Sequence, residues 1–84
     1  MIKYSKLSGI PTKFNYSKLL GRIIEYFGTQ AVFAAAMGLS ERSISLKLNN
    51  IRRWTQIEIF VACEILRIPH NEISAYFFTV DAQD

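Results

Sequence analysis

The sequence predicts a small all-α domain of five helices, in which the second and third helices meet across a tight turn. Apolar residues recur three and four positions apart, which is the spacing of a helix with one buried face. Gly28, Gly38 and Pro69 interrupt that spacing where helices usually stop. Short polar residues that can cap a helix stand at the expected starts of segments.

The first helix is expected to begin at Asn15, which can serve as its N-cap. Its apolar residues keep helical spacing until Gly28 closes the helix. These residues are Leu19, Leu20, Ile23, Ile24 and Phe27. Lys18 and Arg22 share the polar face, where a solvated position is favoured over contact with phosphates. Residues 1–13 contain three lysines and no helical period, so we expect a flexible basic N-terminal arm there.

The second and third helices occupy residues 29–48. Thr29 can cap the second helix, and Gly38 ends it because a residue without Cβ adopts the left-handed conformation at little cost. Ser40 caps the third helix, with Leu39 placed to pack on Ile44. Two helices joined by so short a turn must cross steeply, and the small side chain of Ala34 permits that approach.

The fourth helix has the clearest start in the chain. Thr55 and Glu58 have the spacing of a capping box, and Trp54 can pack on Ile59. The helix should run to about Arg67. One apolar stripe is assigned to the core, and it consists of Ile59, Ala62, Cys63 and Leu66. A second stripe consists of Ile57, Phe60, Val61 and Ile65. That second stripe is either a partner surface or a face covered by the C-terminal residues.

Pro69 separates a short fifth helix, which is expected over residues 70–76 and is followed by two phenylalanines. Either Phe77 or Phe78 should close the core. Tyr76 and Phe78 are candidates for a self-association surface, although packing in the core explains them equally well.

Composition indicates one folded domain. We place it at residues 14–79, between the basic arm and a frayed tail at residues 80–84. Half of the residues are apolar, which excludes disorder across the chain. The apolar runs are too short to span a membrane and the N-terminus has no signal pattern, so we expect a cytoplasmic protein.

Catalysis has little support in the sequence. The only cysteine, Cys63, lies on an apolar stripe, where a buried structural thiol is expected. His70 is the only histidine, and no cluster of metal ligands or phosphate-binding glycine loop is present. We therefore expect no enzyme activity, no cofactor and no metal site.

Charge is divided along the chain. Residues 1–53 contain nine Lys/Arg and two acids, a net charge of +7, whereas residues 54–84 contain one arginine and five acids, a net charge of −4. A basic face with an acidic back suits a protein that neutralises phosphates, although solvated basic faces are also common.

The helix pair resembles the helix-turn-helix of phage Cro and repressor proteins, the XRE-like family. The matching residues are Thr29-Gln30, Phe33-Ala34, Gly38, Leu39-Ser40 and Ile44. The resemblance runs from about Tyr16 to Phe78, and GLSERSISLKLNN followed by W-T-Q-x-E-I is most similar to small Cro-like phage proteins. Lys47 departs from the pattern, because that position is usually aliphatic, and Leu48 is expected to fill the core instead. The resemblance implies a lambda-repressor-like fold and a phage or prophage origin.

If the resemblance extends to function, the third helix (about residues 41–48) docks in the major groove of operator DNA. The residues expected to contact bases are Ser40, Glu41, Arg42, Ser45 and Leu46. The residues expected to contact phosphates are Thr29, Gln30, Ser43, Lys47, Asn49, Arg52 and Arg53. The basic arm either reaches the DNA or is a solvated tail.

The favoured function is a Cro-like transcriptional repressor that binds double-stranded operator DNA as a homodimer, with recognition helices roughly 34 Å apart. The alternative is a modulator of the same fold that binds a phage repressor protein through the face containing Ile57 and Val61. An antitoxin that neutralises a toxin is a third, less favoured reading. The candidate partner surfaces are formed by Ile57, Val61, Tyr76 and Phe78.

Overall fold

The computed structural model describes residues 13–81, and within that range the chain forms five α-helices and no β-strand. The helices are α1 (Ser17–Phe27), α2 (Gln30–Met37), α3 (Glu41–Leu48), α4 (Gln56–Leu66) and α5 (Ile73–Phe77), with a short 3-10 turn over His70–Glu72. The prediction of a small domain with five helices is confirmed. The expected basic arm lies outside the described residues except for Lys13, and so do tail residues 82–84.

Three predicted caps are present at the starts of α2, α3 and α4. The hydroxyl of Thr29 accepts from the Val32 backbone N–H at 3.1 Å, and that of Ser40 accepts from Ser43 N–H at 3.0 Å. Thr55 opens α4 with a complete capping box. Each hydroxyl satisfies a backbone donor that has no partner within its own helix. The sequence therefore sets the start of these three helices.

The start of α1 differs from the prediction. Tyr16, not Asn15, occupies the N-cap position, and no side chain caps the helix there. Asn15 lies one residue earlier and accepts the Ser17 N–H through its side-chain oxygen at 2.8 Å. Its backbone N–H is directed to the carbonyl of Thr79 at 2.7 Å, which holds it outside the helix.

Arg22 also differs from its prediction, because it joins α1 to the end of α4. Arg67 follows α4 in the left-handed region, with φ of 55°. Arg22 Nε donates to the Leu66 carbonyl at 2.9 Å, and its Nη2 donates to the Arg67 carbonyl at 2.8 Å. These carbonyls accept no hydrogen bond from within the helix, so Arg22 caps the C-terminal end of α4. Arg22 is therefore a structural side chain and not a solvated one.

The core lies between α1, α2, α4 and α5, with α3 contributing Ile44 and Lys47. Its buried apolar residues are Leu19, Ile23, Phe33, Ala34, Ile44, Ala62, Cys63, Leu66, Ile68, Tyr76 and Phe77. Phe77 closes the core, whereas Phe78 is 49% exposed. Burial raises the pKa of the Cys63 thiol, and the charge of Glu64 adds to that rise, so the thiol stays protonated as expected for a structural cysteine.

The two ends of the described chain meet beside the end of α3. Val80 forms an isolated antiparallel bridge with Phe14, and Asp81 N–H donates to the Lys13 carbonyl at 2.8 Å. Asn50 holds the other edge of Phe14: its side chain accepts from Phe14 N–H at 2.8 Å and donates to Phe14 O at 2.9 Å. Asn50 has φ of 62°, so the chain turns through the left-handed region just after α3.

Candidate functional site

The outer surface of α3 begins with two exposed charged residues. Glu41 and Arg42 occupy its first turn, and neither side chain forms an ion pair or hydrogen bond within residues 13–81. Ser40 uses its hydroxyl on the Ser43 backbone, and Ser43 itself is half-buried. Ser40 is therefore a helix cap first, whereas Glu41 and Arg42 are free to contact another molecule.

Further along α3, the polar residues contact one another. Asn49 donates from Nδ2 to the Ser45 carbonyl at 2.8 Å, and that nitrogen lies 3.4 Å from the Ser45 hydroxyl. Leu46 is half-buried, and its carbonyl accepts the N–H groups of Ile51 and Arg52 at 2.9 and 3.2 Å. The Asn49 side chain and these backbone hydrogen bonds close the end of the helix, which reduces the surface that α3 offers to a partner.

Lys47 is not on the outer surface at all, and the expectation that it contacts phosphate is wrong. Its side chain is 4% exposed, and its Nζ lies 2.8 Å from Glu58 Oε1 at the start of α4. The same ammonium donates to the Arg53 carbonyl at 2.9 Å. Leu48, which was expected to take the core position, is only partly buried. The long lysine side chain crosses the interior and brings its ammonium to Glu58, whereas a shorter aliphatic side chain would stop inside the core.

Glu58 is the partner that makes this burial possible. Burial alone would raise the pKa of its carboxyl, but the hydrogen bond from Lys47, the hydrogen bonds from Thr55 and the charge of Lys47 outweigh it and lower the pKa. Glu58 Oε1 accepts the Thr55 backbone N–H at 2.9 Å, and Glu58 N–H donates to the Thr55 hydroxyl at 3.2 Å. Glu58 is therefore charged and fixed by both helices.

The other residues expected at phosphates are spread over the surface. Gln30 and Asn49 line a groove between α1, α2 and α3, together with Tyr16, Ser17, Leu20 and Leu48. Thr29 uses its hydroxyl as the α2 cap. Arg52 and Arg53 are exposed beyond the end of α3.

The outward face of α4 is apolar and uncovered by the described residues. Ile57 is 66% exposed and Phe60 is 50% exposed, and Val61, one turn beyond Ile57, is half-buried. We call these three residues the α4 face. Val80 and Asp81 pair with residues 13 and 14, so this end of the described chain does not fold over the α4 face. Of the two possibilities for this stripe, the structure favours a surface open to a partner.

A histidine and a glutamate lie at the C-terminal end of the α4 face. His70 Nε2 is 3.6 Å from Glu64 Oε2, and both side chains are more than half exposed. The His70 ring lies 6.1 Å from the ring of Phe60, centre to centre. The face thus combines an exposed apolar centre with a polar rim, as protein interfaces commonly do.

Tyr76 and Phe78 have different positions in the structure. Tyr76 is 6% exposed, with Lys18 Nζ 4.7 Å from the centre of its ring, so it is a core residue and does not offer a self-association surface. Phe78 is half-exposed, and its ring packs edge-on against Phe14 with the centres 6.0 Å apart.

Two further features bear on chemistry. Among residues 13–81, no group of three His, Cys, Asp or Glu side chains is placed to hold a metal ion. In the same part of the chain, no helix has the length and apolar character needed to cross a membrane.

Sequence reasoning missed the Lys47–Glu58 pair, although both signals were present. Lys47 stood out as a charge at a position that is usually aliphatic, and Glu58 stood out as part of the capping box. A lysine on the inner face of one helix and a glutamate at the start of the next could have been joined as a buried pair.

The chain matches a family model and is similar to a solved structure. Residues 12–80 match a family described as "Protein of unknown function (DUF739)". The solved structure is the solution structure of the modulator of repression of the temperate bacteriophage TP901-1 from Lactococcus lactis. It is 51% identical, the match covers 77% of this chain and 88% of that chain, and the TM-score is 0.70. A search of curated proteins found no match.

These findings correct the assignment to the Cro and repressor family. The similar protein is a modulator of repression, and the matching family is a different one. The main expectation of a Cro-like repressor that binds operator DNA is therefore wrong, and the alternative of a modulator is better supported. The helix pair misled the interpretation because a fold can serve more than one function. Since the match extends over residues 12–80, the chain belongs to the DUF739 family.

Proposed function

We propose that this protein is a modulator that binds a phage repressor protein, and that the α4 face is the contact surface. The observation that carries the proposal is the 51% identity to a phage modulator of repression over 77% of the chain. The proposed role is one of binding and not catalysis, with residues 14–79 acting as one domain. The site of action would be the bacterial cytoplasm, where a phage repressor works.

The exposed residues of the α4 face support this choice of surface. Ile57 and Phe60 together leave a large apolar area in water, although the core of so small a domain needs every apolar residue it can bury. Contact with a partner would remove that area from water, and each Å² buried would contribute roughly 25 cal/mol to the free energy of binding. Large apolar side chains at the centre of an interface commonly supply most of its affinity.

Charge also suits a repressor as the partner. Residues 54–84, which include α4, have a net charge of −4. Repressors carry basic surfaces because they bind phosphates. Charges of opposite sign speed association and disfavour other partners. In this proposal α2 and α3 keep the helix-turn-helix arrangement as a scaffold that supports α4.

The test is a calorimetric titration of the purified chain against the purified repressor of bacteriophage TP901-1. We expect a defined complex with a dissociation constant in the micromolar range or tighter. Ile57→Asp should weaken it by a factor of about ten or more, because a charge would be buried in an apolar contact.

Arg42→Ala is the matched control, since Arg42 is also exposed but lies on α3. Its affinity should stay within about twofold of the wild type, because it leaves the α4 face intact. Absence of any complex with the repressor would contradict the proposed function. A complex weakened by Arg42→Ala and not by Ile57→Asp would retain the function and move the surface to α3.

A further inference from the structure

We infer that Lys47 is a positioning residue for the α4 face: it lies in α3, and its ammonium fixes the turn of α4 that carries Ile57. The inference deepens the proposed function and rests on it for the role of Ile57. Lys47 itself is 3% exposed and cannot contact a partner directly. Any effect of this residue on binding must therefore pass through its neighbours.

The ammonium of Lys47 contacts the chain on both sides of the start of α4. It donates to the Arg53 carbonyl at 2.9 Å, in the linker before the helix, and lies 2.8 Å from Glu58 Oε1, in its first turn. Ile57 is adjacent to Glu58 and is 66% exposed. One cation thus fixes the linker and the first turn together.

Glu58 passes this constraint to the helix backbone. Its Oε1 atom accepts both the Lys47 ammonium and the Thr55 N–H, while its own N–H donates to the Thr55 hydroxyl. The charged hydrogen bond from Lys47 therefore fixes the position of the first turn of α4 relative to α3. The capping box fixes the residue at which α4 begins. A helix end held in this way presents its outward side chains in one orientation.

The other polar contacts of the linker lie before Arg53, where Asn50 bonds to Phe14 and the N–H groups of residues 51 and 52 donate to the Leu46 carbonyl. Trp54 packs edge-on against Tyr16 and Phe77, with ring centres 6.4 and 5.3 Å away. Its buried Nε1 atom has no hydrogen-bond partner among residues 13–81. The tryptophan is therefore held by packing, which is weakly directional, while the bond from Lys47 to Arg53 fixes the backbone beside it. Lys47 Nζ is 5.9 Å from the Trp54 ring, so this single tryptophan reports on the site.

An aliphatic residue at position 47 would fill space but could not make these bonds. Lys47→Met keeps most of the side-chain length and removes the ammonium. We expect amide exchange at Glu58 and Ile59 to become about tenfold faster, because the first turn of α4 opens more often. The emission of Trp54 should shift as its surroundings change. Affinity for the TP901-1 repressor should fall at least fivefold.

Two variants separate positioning from general destabilisation. Glu58→Gln keeps an oxygen that can accept from Lys47 and Thr55 but removes the charge that the buried ammonium faces, so we expect exchange at Glu58 and Ile59 and repressor affinity between those of the wild type and Lys47→Met. Thr29→Ala removes the cap of α2, far along the chain from α4, and lowers stability by a typical cap contribution. It should leave repressor affinity and the exchange of α4 amides unchanged.

The double variant Lys47→Met/Glu58→Gln guards against failure of the single variant to fold, because it leaves no unpaired buried charge. It should show the same fast exchange and weak binding as Lys47→Met. Wild-type exchange at Glu58 and Ile59 in the double variant would overturn the inference, and so would wild-type affinity. If the wild-type chain fails to bind the repressor, the proposed function falls, but the exchange and fluorescence measurements still decide whether Lys47 fixes the first turn.

Discussion

Helices α3 and α4 are neighbours in the chain, but they use their surfaces in opposite ways. On α3, Lys47 contacts Glu58 and Ser45 contacts Asn49, whereas the side chains of Glu41 and Arg42 have no partner among residues 13–81. α4 is largely apolar, yet Ile57 and Phe60 are at least half exposed. Residue polarity alone therefore does not reveal which helix meets a partner. The informative property is whether a side chain already has its contacts within the fold.

The largest expected effect tests the inner face of α3. Ile44 is completely buried, so Ile44→Ala should lower the free energy of unfolding by about 3 kcal/mol through lost burial and the cavity left behind. Urea denaturation followed by circular dichroism measures this change. A loss below about 1 kcal/mol would mean that α3 packs loosely on the core.

The second prediction concerns the ion pair between the two helices. Lys47→Met should lower the free energy of unfolding by about 2 kcal/mol at neutral pH, less than for a fully buried pair because Glu58 is 19% exposed. The lowered pKa of Glu58 also makes stability depend on pH. Its contribution is complete above the ordinary pKa of 4.5 and is lost as pH falls through the lower value in the folded protein.

Urea midpoints of the wild type and Lys47→Met between pH 6 and pH 2.5 measure that dependence. The loss of stability on acidification should be smaller in Lys47→Met, because the carboxyl then loses the ammonium that lowers its pKa. Glu58→Gln is the control, since it removes the titrating group itself. Equal slopes in all three proteins would show that Glu58 does not control this part of the acid response.

The third prediction compares the caps of the two helices. Thr55→Ala should destabilise the protein by about 1 kcal/mol, because the Glu58 backbone N–H loses its acceptor. Ser40→Ala should have a similar effect, through the Ser43 N–H. Thermal unfolding of both variants tests the comparison. A neutral Thr55→Ala would indicate that Lys47 holds the start of α4 without help from the cap.

The smallest expected effect is on the exposed side of α4. Ile57→Ser should change the free energy of unfolding by no more than about 0.5 kcal/mol, because most of this side chain is already in water. The same urea titration used for Ile44→Ala measures it. A loss of 2 kcal/mol would show that Ile57 supports the fold, which would weaken its assignment to a partner surface.

The helix starts could be predicted because they depend on neighbouring residues. Thr29, Ser40 and Thr55 each act within three residues of their own position. The burial of Lys47 could not be predicted with equal ease, because Glu58 lies eleven positions away and the interaction exists only after α3 and α4 have packed. The α1 start was misplaced for a similar reason, since Asn15 is held by Thr79.

The surface was easier to predict than its use. The exposed stripe of α4 followed from helical periodicity, and Ile57 and Val61 were already candidates for contact with a repressor. Periodicity could not choose between that surface and α3, because both helices have an outward face. The similarity to a modulator of repression favours a protein partner, whereas the pattern of the helix pair alone favoured DNA, and the proposed surface rests on the exposed side chains of α4.

The bridge between Phe14 and Val80 brings the two ends of the described chain together, and Asn50 holds Phe14 from the other side. A chain with adjacent ends can be closed by a short linker and opened elsewhere. Circular permutants of residues 13–81 with new ends in the linker between α3 and α4 would cut the backbone beside Arg53 while leaving every helix whole. Such molecules would show whether the fold depends on the order of the helices along the chain or only on how the helices pack.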